Sequence, residues 1–398
     1  MTSLRPRVAC ALFAAASLLG PAVCSSSFAA PACGWTVVPS PNVSDQNDSV
    51  LSGIAGSNPS DVWAVGQFAP DQNPNITQTL TEHFDGNRWT IVPSPNVGIQ
   101  GNALIHVGAL PGGKAWAVGY RIDEKSFYAR SLIEYWNGSA WTVVPHPEPG
   151  VSAQLFGVSA RASDDIWAVG TYQEPLFTLH GFVEHFDGER WQLVQSPNPG
   201  KRGNTLYGIV SVAANRAFAV GDQSHDGNPQ EPLALSWDGT HWKPTQVSSI
   251  ADGNRRLFGV AAEPAGGLLA VGENETDTPM GTLGLAAVFR PGSGWISEPV
   301  SRPNTDDNHL YSVAAARSGP AWAVGSFLDP ASGNFFTLIE MQRDGDHGWT
   351  PVASPNPNSH GSNQLGGVAV VGDDVWAVGT YDGPNARATL VLHRCQPQ

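Results

Sequence analysis

The sequence has few cysteines, methionines and charged residues, and each shortage narrows the range of structures. It contains 4 Cys and 3 Met, and only 14% of its 398 residues are charged. Helical domains draw on runs of Lys, Glu and Leu, which are scarce here, so the composition disfavours a helical protein. The 21 Lys and Arg residues are outnumbered by 35 Asp and Glu, which gives a formal net charge of −14. Because an acidic surface repels phosphate groups, we expect no nucleic-acid partner.

Sequence patterns that mark common catalytic and metal centres are also missing. The chain has no GxSxG, HExxH, CxxC or phosphate-loop motif, so no standard nucleophile, zinc site or nucleotide site is indicated. The acidic stretches "NTDDN" and "SDQND" lack the regular alternation of a calcium-binding EF-hand loop. We therefore predict neither a metal site nor a cofactor.

The first thirty residues have the pattern of an export signal. Arg5 and Arg7 precede an apolar stretch, residues 8–23, and small residues follow it. We expect residues 1–30 to be removed and residues 31–398 to form one secreted or cell-surface domain. No later apolar run approaches the ~20 residues that span a bilayer, so we expect no integral membrane segment in the mature chain.

The cysteines are consistent with export. Two of the four lie within the expected signal, where Cys24 follows Val23. Because a small residue normally precedes a lipid-attachment cysteine, a lipid-anchored form is the weaker alternative. Cys33 and Cys395 remain near the two ends of the mature chain. One such pair in an exported chain predicts a disulfide between them.

Glycine, proline and tryptophan are abundant, with 44, 32 and 14 residues, and they belong to a repeat. Near-copies of "DVWAVGQF", residues 61–68, recur along the chain at intervals of 51 to 54 residues. The glycines that close these copies are Gly66, Gly119, Gly170, Gly221, Gly272, Gly325 and Gly379. An internal period near fifty residues is typical of a four-stranded propeller blade.

A second motif keeps the same period and is typical of a β-hairpin. The stretch "EHFDGNRWTIVPSPN", from Glu82, and its near-copies place an Asp-Gly or Asn-Gly turn between two extended runs. Asn, Asp and Gly tolerate the positive φ that a tight turn needs. The segment "CGWTVVPSPN", residues 33–42, matches only the strand after the turn, and "TLVLHRC", residues 389–395, matches only the strand before it. The N-terminal strand is therefore predicted to pair with the C-terminal one.

Together these patterns predict an all-β fold, a seven-bladed β-propeller with four-stranded blades, whose ring is closed by the N-terminal strand completing the last blade. Such closure leaves only short, protected strand edges. In this register Cys33 and Cys395 lie on opposite sides of one hairpin turn, within reach of a disulfide. The periodic tryptophans, such as Trp63 and Trp89, are predicted to pack between blades, with a sugar-binding role as the alternative.

The repeat resembles the kelch repeat. Its glycine-ended apolar strand, its strand ending in an aromatic residue and Asp-Gly, and its Trp followed by "VPSPN" are similar to the exported bacterial branch of kelch-like and galactose-oxidase-type propellers. Kelch strands typically end in Gly-Gly, whereas Gly66 and its equivalents are single. The resemblance implies the propeller fold, but activity transfers poorly among propellers. Galactose-oxidase copper chemistry requires a tyrosine bonded to a cysteine, and it is rejected because both mature cysteines are assigned to the disulfide.

Candidate ligand-binding residues lie in the loops that enter the first strand of each blade and in the loops between the second and third strands. Both sets of loops emerge on one face of a propeller, around its central channel. A local group of cations on an acidic protein can hold a carboxylate, such as a uronic acid or a peptide terminus, and a salt-bridged surface is the alternative. The charged candidates are Lys201, Arg202, Arg255, Arg256, Arg302, Asp306, Asp307 and His309, and the aromatic candidate is Tyr128.

Three functions are open from the sequence. The favoured one is a secreted, monomeric, non-enzymatic propeller that recognises a carbohydrate or an extracellular protein through its loop face. The second is a lyase on uronate polymers, with His309 as base and Tyr207 or Tyr311 as acid. In that enzyme Arg255 or Arg256 would neutralise the substrate carboxylate. The third is a purely structural surface protein.

Overall fold

Extended segments joined by turns make up all the regular structure in the described part of the chain, which contains no helix. The computed structural model describes residues 34–70, 76–175, 178–227, 229–247, 253–264, 266–277, 280–301, 307–316, 318–343 and 345–395. The chain divides into two compact parts, and these residues belong to the larger part, Cys33–Gln398. The predicted all-β class is confirmed.

Short strands alternate with tight turns along the whole described chain. In chain order they are β1 (Thr36–Val37), β2 (Ser49–Asn58), β3 (Asp61–Phe68), β4 (Gln78–Phe84), β5 (Trp89–Ile91), β6 (Asn102–Leu110), β7 (Lys114–Ile122), β8 (Ala129–Trp136), β9 (Trp141–Val143), β10 (Ser152–Ala162), β11 (Asp165–Gln173), β12 (Leu179–Phe186), β13 (Trp191–Val194), β14 (Gly203–Ala213), β15 (Arg216–Ser224), β16 (Glu231–Trp237), β17 (Trp242–Thr245), β18 (Asn254–Ala262), β19 (Leu268–Asp277), β20 (Met280–Arg290), β21 (Gly294–Glu298), β22 (Asn308–Ala315), β23 (Ala321–Leu328), β24 (Phe335–Gln342), β25 (Thr350–Pro351), β26 (Asn363–Val371), β27 (Asp374–Asp382) and β28 (Arg387–Cys395).

The strands form antiparallel units of four, in which strands adjacent in sequence pair with each other. We number them unit 1 (β2–β5), unit 2 (β6–β9), unit 3 (β10–β13), unit 4 (β14–β17), unit 5 (β18–β21), unit 6 (β22–β25) and unit 7 (β26–β28 with β1). One parallel pair, Leu179 with Gly203, joins units 3 and 4 into an eight-stranded sheet.

The N-terminal strand completes the sheet of unit 7. β1 pairs with β28, with Thr36 opposite His393 and Val37 opposite Leu392. Cys395 ends β28, and Cys33 lies outside the described residues. The predicted disulfide between these two cysteines therefore stays a prediction.

The glycine that closes each "WAVG" motif is required because two strands approach closely. In unit 1 the pairing register slips by one residue between Leu51 and Gly53, which is a β-bulge. A Cβ atom at Gly66 would lie 1.9 Å from the Val50 carbonyl oxygen. A Cβ atom at the equivalent glycine of each other unit would lie 1.8–2.0 Å from the corresponding carbonyl oxygen. The motif therefore ends in glycine because there is no space for a side chain.

The hairpins predicted from the second motif are present, and side chains hold their turns. Asp85 Oδ1 accepts hydrogen bonds from the backbone N–H groups of Asn87 and Arg88, at 2.9 and 3.0 Å. Gly86 between them has a φ of +95°, in the region that favours glycine. The equivalent residues of units 2, 3 and 4, which bond in the same way, are Asn137, Asp187 and Asp238.

Pairs of buried tryptophans pack between units. Trp141 of unit 2 contacts Trp63 of unit 1 edge to face, with ring centroids 5.1 Å apart. Trp89 of unit 1 contacts Trp376 of unit 7 in the same way, at 5.5 Å. The predicted packing role of these rings is confirmed, since every ring of these pairs is buried. The further pairs are Trp35 with Trp322, Trp191 with Trp116, and Trp242 with Trp167.

Candidate functional site

The first strands of the units surround a cavity of about 690 Å³. Residues from β2, β6, β10, β14, β18, β22 and β26 all line it. Because each of these strands carries the same bulge after its repeating leucine, the bulge residue of every one reaches the cavity wall. These residues are Ser52, Ile105, Phe156, Tyr207, Phe258, Tyr311 and Gly366.

Four consecutive bulge positions are aromatic, and their rings contact one another. The centroid of Phe156 lies 5.4 Å from that of Tyr207, which lies 5.1 Å from that of Phe258. Phe258 in turn lies 5.9 Å from Tyr311. We call Phe156, Tyr207, Phe258 and Tyr311 the aromatic belt. The belt covers one side of the cavity, in units 3 to 6, whereas the bulge residues of the other units are small or aliphatic.

A charged group adjoins the belt. Glu273 bridges two cations, with one carboxylate oxygen 2.9 Å from Arg256 Nη1 and the other 2.9 Å from His309 Nδ1. The second ring nitrogen of His309 lies 3.1 Å from Asp307 Oδ1. The His309 ring stacks on Tyr311 with centroids 5.6 Å apart and planes at 8°. Nearby, the Tyr207 hydroxyl forms a hydrogen bond with the side chain of Asp222. We call Asp222, Arg256, Glu273, Asp307 and His309 the mouth cluster.

Strand register brings the mouth cluster together. The residue before the repeating leucine of a first strand lies opposite the residue after the closing glycine of the second strand. In unit 5 these two positions hold Arg256 and Glu273. In unit 4 the second position holds Asp222, and in unit 6 the first position holds His309. Three neighbouring units therefore contribute to one group of side chains.

The same positions in other units locate the mouth cluster relative to the cavity. In unit 1 the position before the leucine holds Val50, and in unit 7 the two positions hold Gln364 and Thr380. All three of these residues line the cavity. The cluster therefore lies at the end of the cavity where the first strands begin. The loops entering the first strands and those joining second to third strands are at this end, as the sequence predicted for the ligand-binding face.

The carboxylates around His309 control its protonation. Burial alone would lower the pKa of His309, but hydrogen bonds and charges from Glu273 and Asp307 outweigh burial, so its pKa is raised. A raised pKa favours the imidazolium form, which donates hydrogen bonds from both nitrogens. His309 is therefore suited to holding the two carboxylates rather than to removing a proton from a ligand.

The pKa values of the other titratable groups near the belt are raised, mainly by burial. Burial raises the pKa of Asp222 to about 6, and the charge of Glu273 adds to this, against a hydrogen bond from Tyr207 and the charge of Arg256. Burial and the charge of Glu273 raise the pKa of Tyr311 to about 12. Burial and Asp222 also raise the pKa of Tyr207. Both tyrosines therefore carry neutral hydroxyl groups near pH 7. The site thus combines aromatic faces, hydroxyl donors and carboxylate acceptors.

The structure brings together three of the residues predicted from sequence, Arg256, Asp307 and His309, as described above. Arg255 is their neighbour in the chain but is 8% exposed and pairs across the sheet with Asn274. Its Nε has no hydrogen-bond partner among the described residues.

The remaining predicted residues lie elsewhere or are not described. The side chain of Arg202 is 73% exposed and forms an ion pair with Asp226. Tyr128 is exposed in the loop between β7 and β8, where its N–H donates to Ser126 Oγ at 3.4 Å. Asp306 lies outside the described residues. Among the contacts of the described residues, none joins Arg202 or Tyr128 to the mouth cluster.

Sequence reasoning missed Asp222, Glu273, Phe156 and Phe258. The signal was present, because the residue after each "AVG" and the residue after each first-strand leucine vary while their neighbours repeat. Asp222 and Glu273 hold the first position in units 4 and 5, and Phe156 and Phe258 hold the second in units 3 and 5.

Comparisons with known proteins support the fold. No protein-family model and no curated protein sequence matched the chain. A protein of unknown function from Dyadobacter fermentans has a similar structure, with 11% identity, a TM-score of 0.50, and coverage of 92% of this chain and 98% of that one. The GH93 α-L-arabinofuranosidase of Fusarium graminearum in complex with arabinobiose has 13% identity, a TM-score of 0.50, and coverage of 90% and 97%. YCF48 bound to D1 peptide has 16% identity, a TM-score of 0.46, and coverage of 79% and 97%.

The two similarities with a TM-score of 0.50, together with the four-stranded antiparallel sheets, define the class of protein: it has a β-propeller fold. At these identities they establish the fold alone. The kelch family is not shown by any of them. In the described part of the chain, no helix has the length and apolar character needed to cross a bilayer.

Proposed function

We propose that the protein is a secreted, non-enzymatic β-propeller that binds carbohydrate at the mouth cluster and aromatic belt. Export depends on the signal pattern of residues 1–30, and the mature domain is residues 31–398. The proposed ring has seven blades, with units 1 to 7 as its blades and β1 closing the last. Three observations support this ring: β1 pairs with β28, Trp89 of unit 1 packs on Trp376 of unit 7, and first strands from all the units line one cavity.

The same register supports the proposed disulfide. In unit 2 the positions equivalent to Cys395 and Cys33 are Asn137 and Ser139, which flank the hairpin turn. The Ser139 hydroxyl donates to Asn137 Oδ1 at 2.8 Å, so side chains at these two positions are close together. A Cys33–Cys395 disulfide would then fasten the two ends of the chain within blade seven.

One observation carries the proposed ligand class: a continuous aromatic belt lies beside a group of carboxylates and hydroxyls at the mouth of the cavity. The apolar faces of sugar rings stack on aromatic side chains, while sugar hydroxyls bond to carboxylates and hydroxyls at the ring edge. The cavity of about 690 Å³ is large enough for a short saccharide. An extracellular protein segment is the alternative ligand, since aromatic and charged residues also bind peptides.

Binding is favoured over catalysis because the charged residues of the site are paired with one another. A lyase needs a neutral histidine as base and a cation free to neutralise the substrate carboxylate. The pKa of His309 is raised by its two carboxylates, although burial opposes this. Arg256 pairs with Glu273 and also donates from Nε to Gln230 at 2.7 Å.

The lyase remains the second candidate because of one specific observation. Tyr311 stacks on His309, and both Arg256 and His309 contact Glu273. The base, acid and cation named from sequence are thus neighbours. Incubating the protein with pectate, alginate and hyaluronan tests this candidate: growth of unsaturated-sugar ultraviolet absorbance would establish the lyase, and no growth would exclude these substrates.

Binding itself is tested with a glycan array followed by titration calorimetry on the best ligand. We expect Phe258→Ala, which interrupts the belt, to weaken binding about tenfold. Ser52→Ala, at the equivalent bulge position in unit 1, is the matched control and should bind like the wild type. Equal binding by both variants would disprove the proposed site, and binding of proteins or peptides alone would favour the alternative ligand.

A further inference from the structure

Glu273 occupies the place that the carboxylate of an acidic ligand would need. Each of its oxygens lies 2.9 Å from a different cation, Arg256 on one side and His309 on the other. Its side chain is 10% exposed, while those of His309 and Arg256 are 17% and 29% exposed. Carboxylates bind with just such pairs of charge-assisted hydrogen bonds. The protein thus supplies its own carboxylate to the two cations of the mouth cluster.

The charges that remain around these cations are negative. His309 also faces Asp307, at 3.1 Å, and Arg256 has Glu275 at 3.8 Å. Asp222, from unit 4, lies close enough to Arg256 and Glu273 for their charges to influence its pKa. A ligand carboxylate entering this group would have to displace Glu273 or lie beside like charges, and either arrangement costs free energy.

We propose that Glu273 sets the ligand specificity of the mouth: it excludes carboxylated sugars, such as uronates, and leaves the site to neutral saccharides. This inference rests on the proposed carbohydrate-binding function. A neutral sugar needs no cation, because its hydroxyls donate to the carboxylates of the cluster and its ring faces stack on the belt. Specificity of this kind comes from repulsion of the wrong ligand as much as from attraction of the right one.

The sequence predicts that the basic residues near blades four to six bind a ligand carboxylate, whereas the role proposed for Glu273 is to prevent such binding. Arg256 and His309 are present at the mouth, but each of them pairs with Glu273. The exposed candidate Arg202 pairs with Asp226. Among the described candidates, the basic side chains at the mouth are Arg256 and His309. Each of them is therefore paired with a carboxylate.

The test compares neutral and acidic ligands of equal size on the mature protein. The probes are arabinotriose, xylotriose and galactotriose as neutral sugars, and trigalacturonate as the acidic one, each measured by titration calorimetry at pH 7. The wild type should bind at least one neutral trisaccharide about tenfold or more tightly than trigalacturonate.

The decisive variant is Glu273→Gln, which keeps the shape of the side chain and removes its charge. It should bind trigalacturonate about tenfold more tightly than the wild type does, and this gain should shrink in high salt because it comes from charge pairing. The matched control is Glu148→Gln, since Glu148 forms a similar pair with Arg121 at 3.1 Å outside the mouth cluster. The control variant should keep the wild-type selectivity.

A second variant covers the case in which Glu273→Gln does not fold, which circular dichroism would reveal. Arg256→Gln should leave trigalacturonate binding at its low wild-type level, because the guanidinium is already occupied. A loss of trigalacturonate affinity in Arg256→Gln would show that Arg256 binds the ligand carboxylate, and it would overturn the proposal.

The other outcomes separate the inference from the proposed function. Equal or tighter wild-type binding of trigalacturonate, or no gain in a folded Glu273→Gln, overturns the role of Glu273 while carbohydrate binding stands. If neither the wild type nor the variant binds any saccharide here or on the glycan array, the proposed function fails, and the inference fails with it.

Discussion

Units 1 and 5 share one backbone plan but carry different chemistry at the same places. At the mouth of the cavity, unit 1 pairs Val50 with Gln67, whereas unit 5 pairs Arg256 with Glu273. At the bulge, unit 1 has Ser52, whereas unit 5 has the aromatic Phe258. Both units nevertheless close their second strand with a glycine, where a Cβ atom would collide with a carbonyl oxygen.

The difference shows which positions serve the fold and which are available for function. Positions that repeat, such as Gly66 and Gly272, are governed by close packing that every unit needs. The compared positions that vary lie at the mouth or in the wall of the cavity, where the fold imposes no common requirement. A propeller can therefore change its ligand without changing its sheets, which is why fold alone does not establish activity.

The largest effect is expected from adding a side chain at the closing glycines. Gly66→Ala and Gly272→Ala each place a Cβ atom 1.9 Å from a backbone oxygen, that of Val50 and that of Arg256 respectively. We expect each to lower the free energy of unfolding by about 4 kcal/mol, measured by chemical denaturation. Saccharide binding should be weakened only by Gly272→Ala, because the adjacent Glu273, whose carboxylate accepts from the sugar hydroxyls, has to move.

The control for these variants is Gly34→Ala, since no atom lies within 4 Å of a Cβ at that position. Its stability should stay within about 0.5 kcal/mol of the wild type. If folded Gly66→Ala and Gly272→Ala lost saccharide binding to the same degree, the functional distinction between units 1 and 5 would not hold.

The next effect concerns the seam of the proposed ring, which is remote from the mouth of unit 5. We expect Cys395→Ser to lower the free energy of unfolding by about 3 kcal/mol, because the disulfide restricts the unfolded chain. Saccharide binding at 20 °C should not change. Chemical denaturation with and without reductant checks this: the wild type should lose the same stability on reduction, and an unreduced wild type that already matches the variant would contradict the disulfide.

The smallest change, the one measured over a single pH unit, should come from a buried carboxyl group that unit 1 has and unit 5 lacks. Glu82 lies opposite Ala64 in unit 1, and Ala287 takes the equivalent place in unit 5. Glu82 is fully buried, its carboxylate oxygens have no hydrogen-bond partner among the described residues, and burial raises its pKa from 4.5 to about 8. The folded state therefore keeps a proton that the unfolded state has already released.

Between those two pKa values, stability should fall as the pH rises, by up to about 1.4 kcal/mol per pH unit for this group. Glu82→Gln cannot titrate, so its stability should fall less steeply between pH 5 and about pH 8. Denaturation midpoints across this range measure the slope. Glu189→Gln, at an exposed turn position, should retain the wild-type slope, and an unchanged slope in Glu82→Gln would show that Glu82 is ionised in the folded protein.

Much of the fold was predictable because its cause is local and repeated. The spacing of the "WAVG" glycines predicted the four-stranded units, and the Asp-Gly turns predicted the hairpins, since each pattern reports a constraint within one unit. The pairing of β1 with β28 was predictable from two incomplete copies of the same motif. The recurrence of Trp63 and Trp89 at fixed places in the repeat indicates a packing role.

The candidate site was predictable only in part. Arg256 and His309 stood out as charged residues at strand entries, but the sequence did not show that one carboxylate, Glu273, neutralises both. Glu273 belongs to the second strand of unit 5 and His309 to the first strand of unit 6. The contact between them depends on how two separate sheets pack, and no local pattern encodes that arrangement.

By itself, the sequence determined the all-β class, the four-stranded repeating unit, the glycines and turns that shape it, and the tryptophans that pack between units. Each of these follows from sterics and periodicity that act over a few neighbouring residues. Only the tertiary structure decided which variable side chains meet at the cavity, that four bulge residues form a continuous belt, and that the cations at the mouth are paired. Those features depend on distances between strands far apart in the chain, because electrostatic and ring contacts are set by position in space.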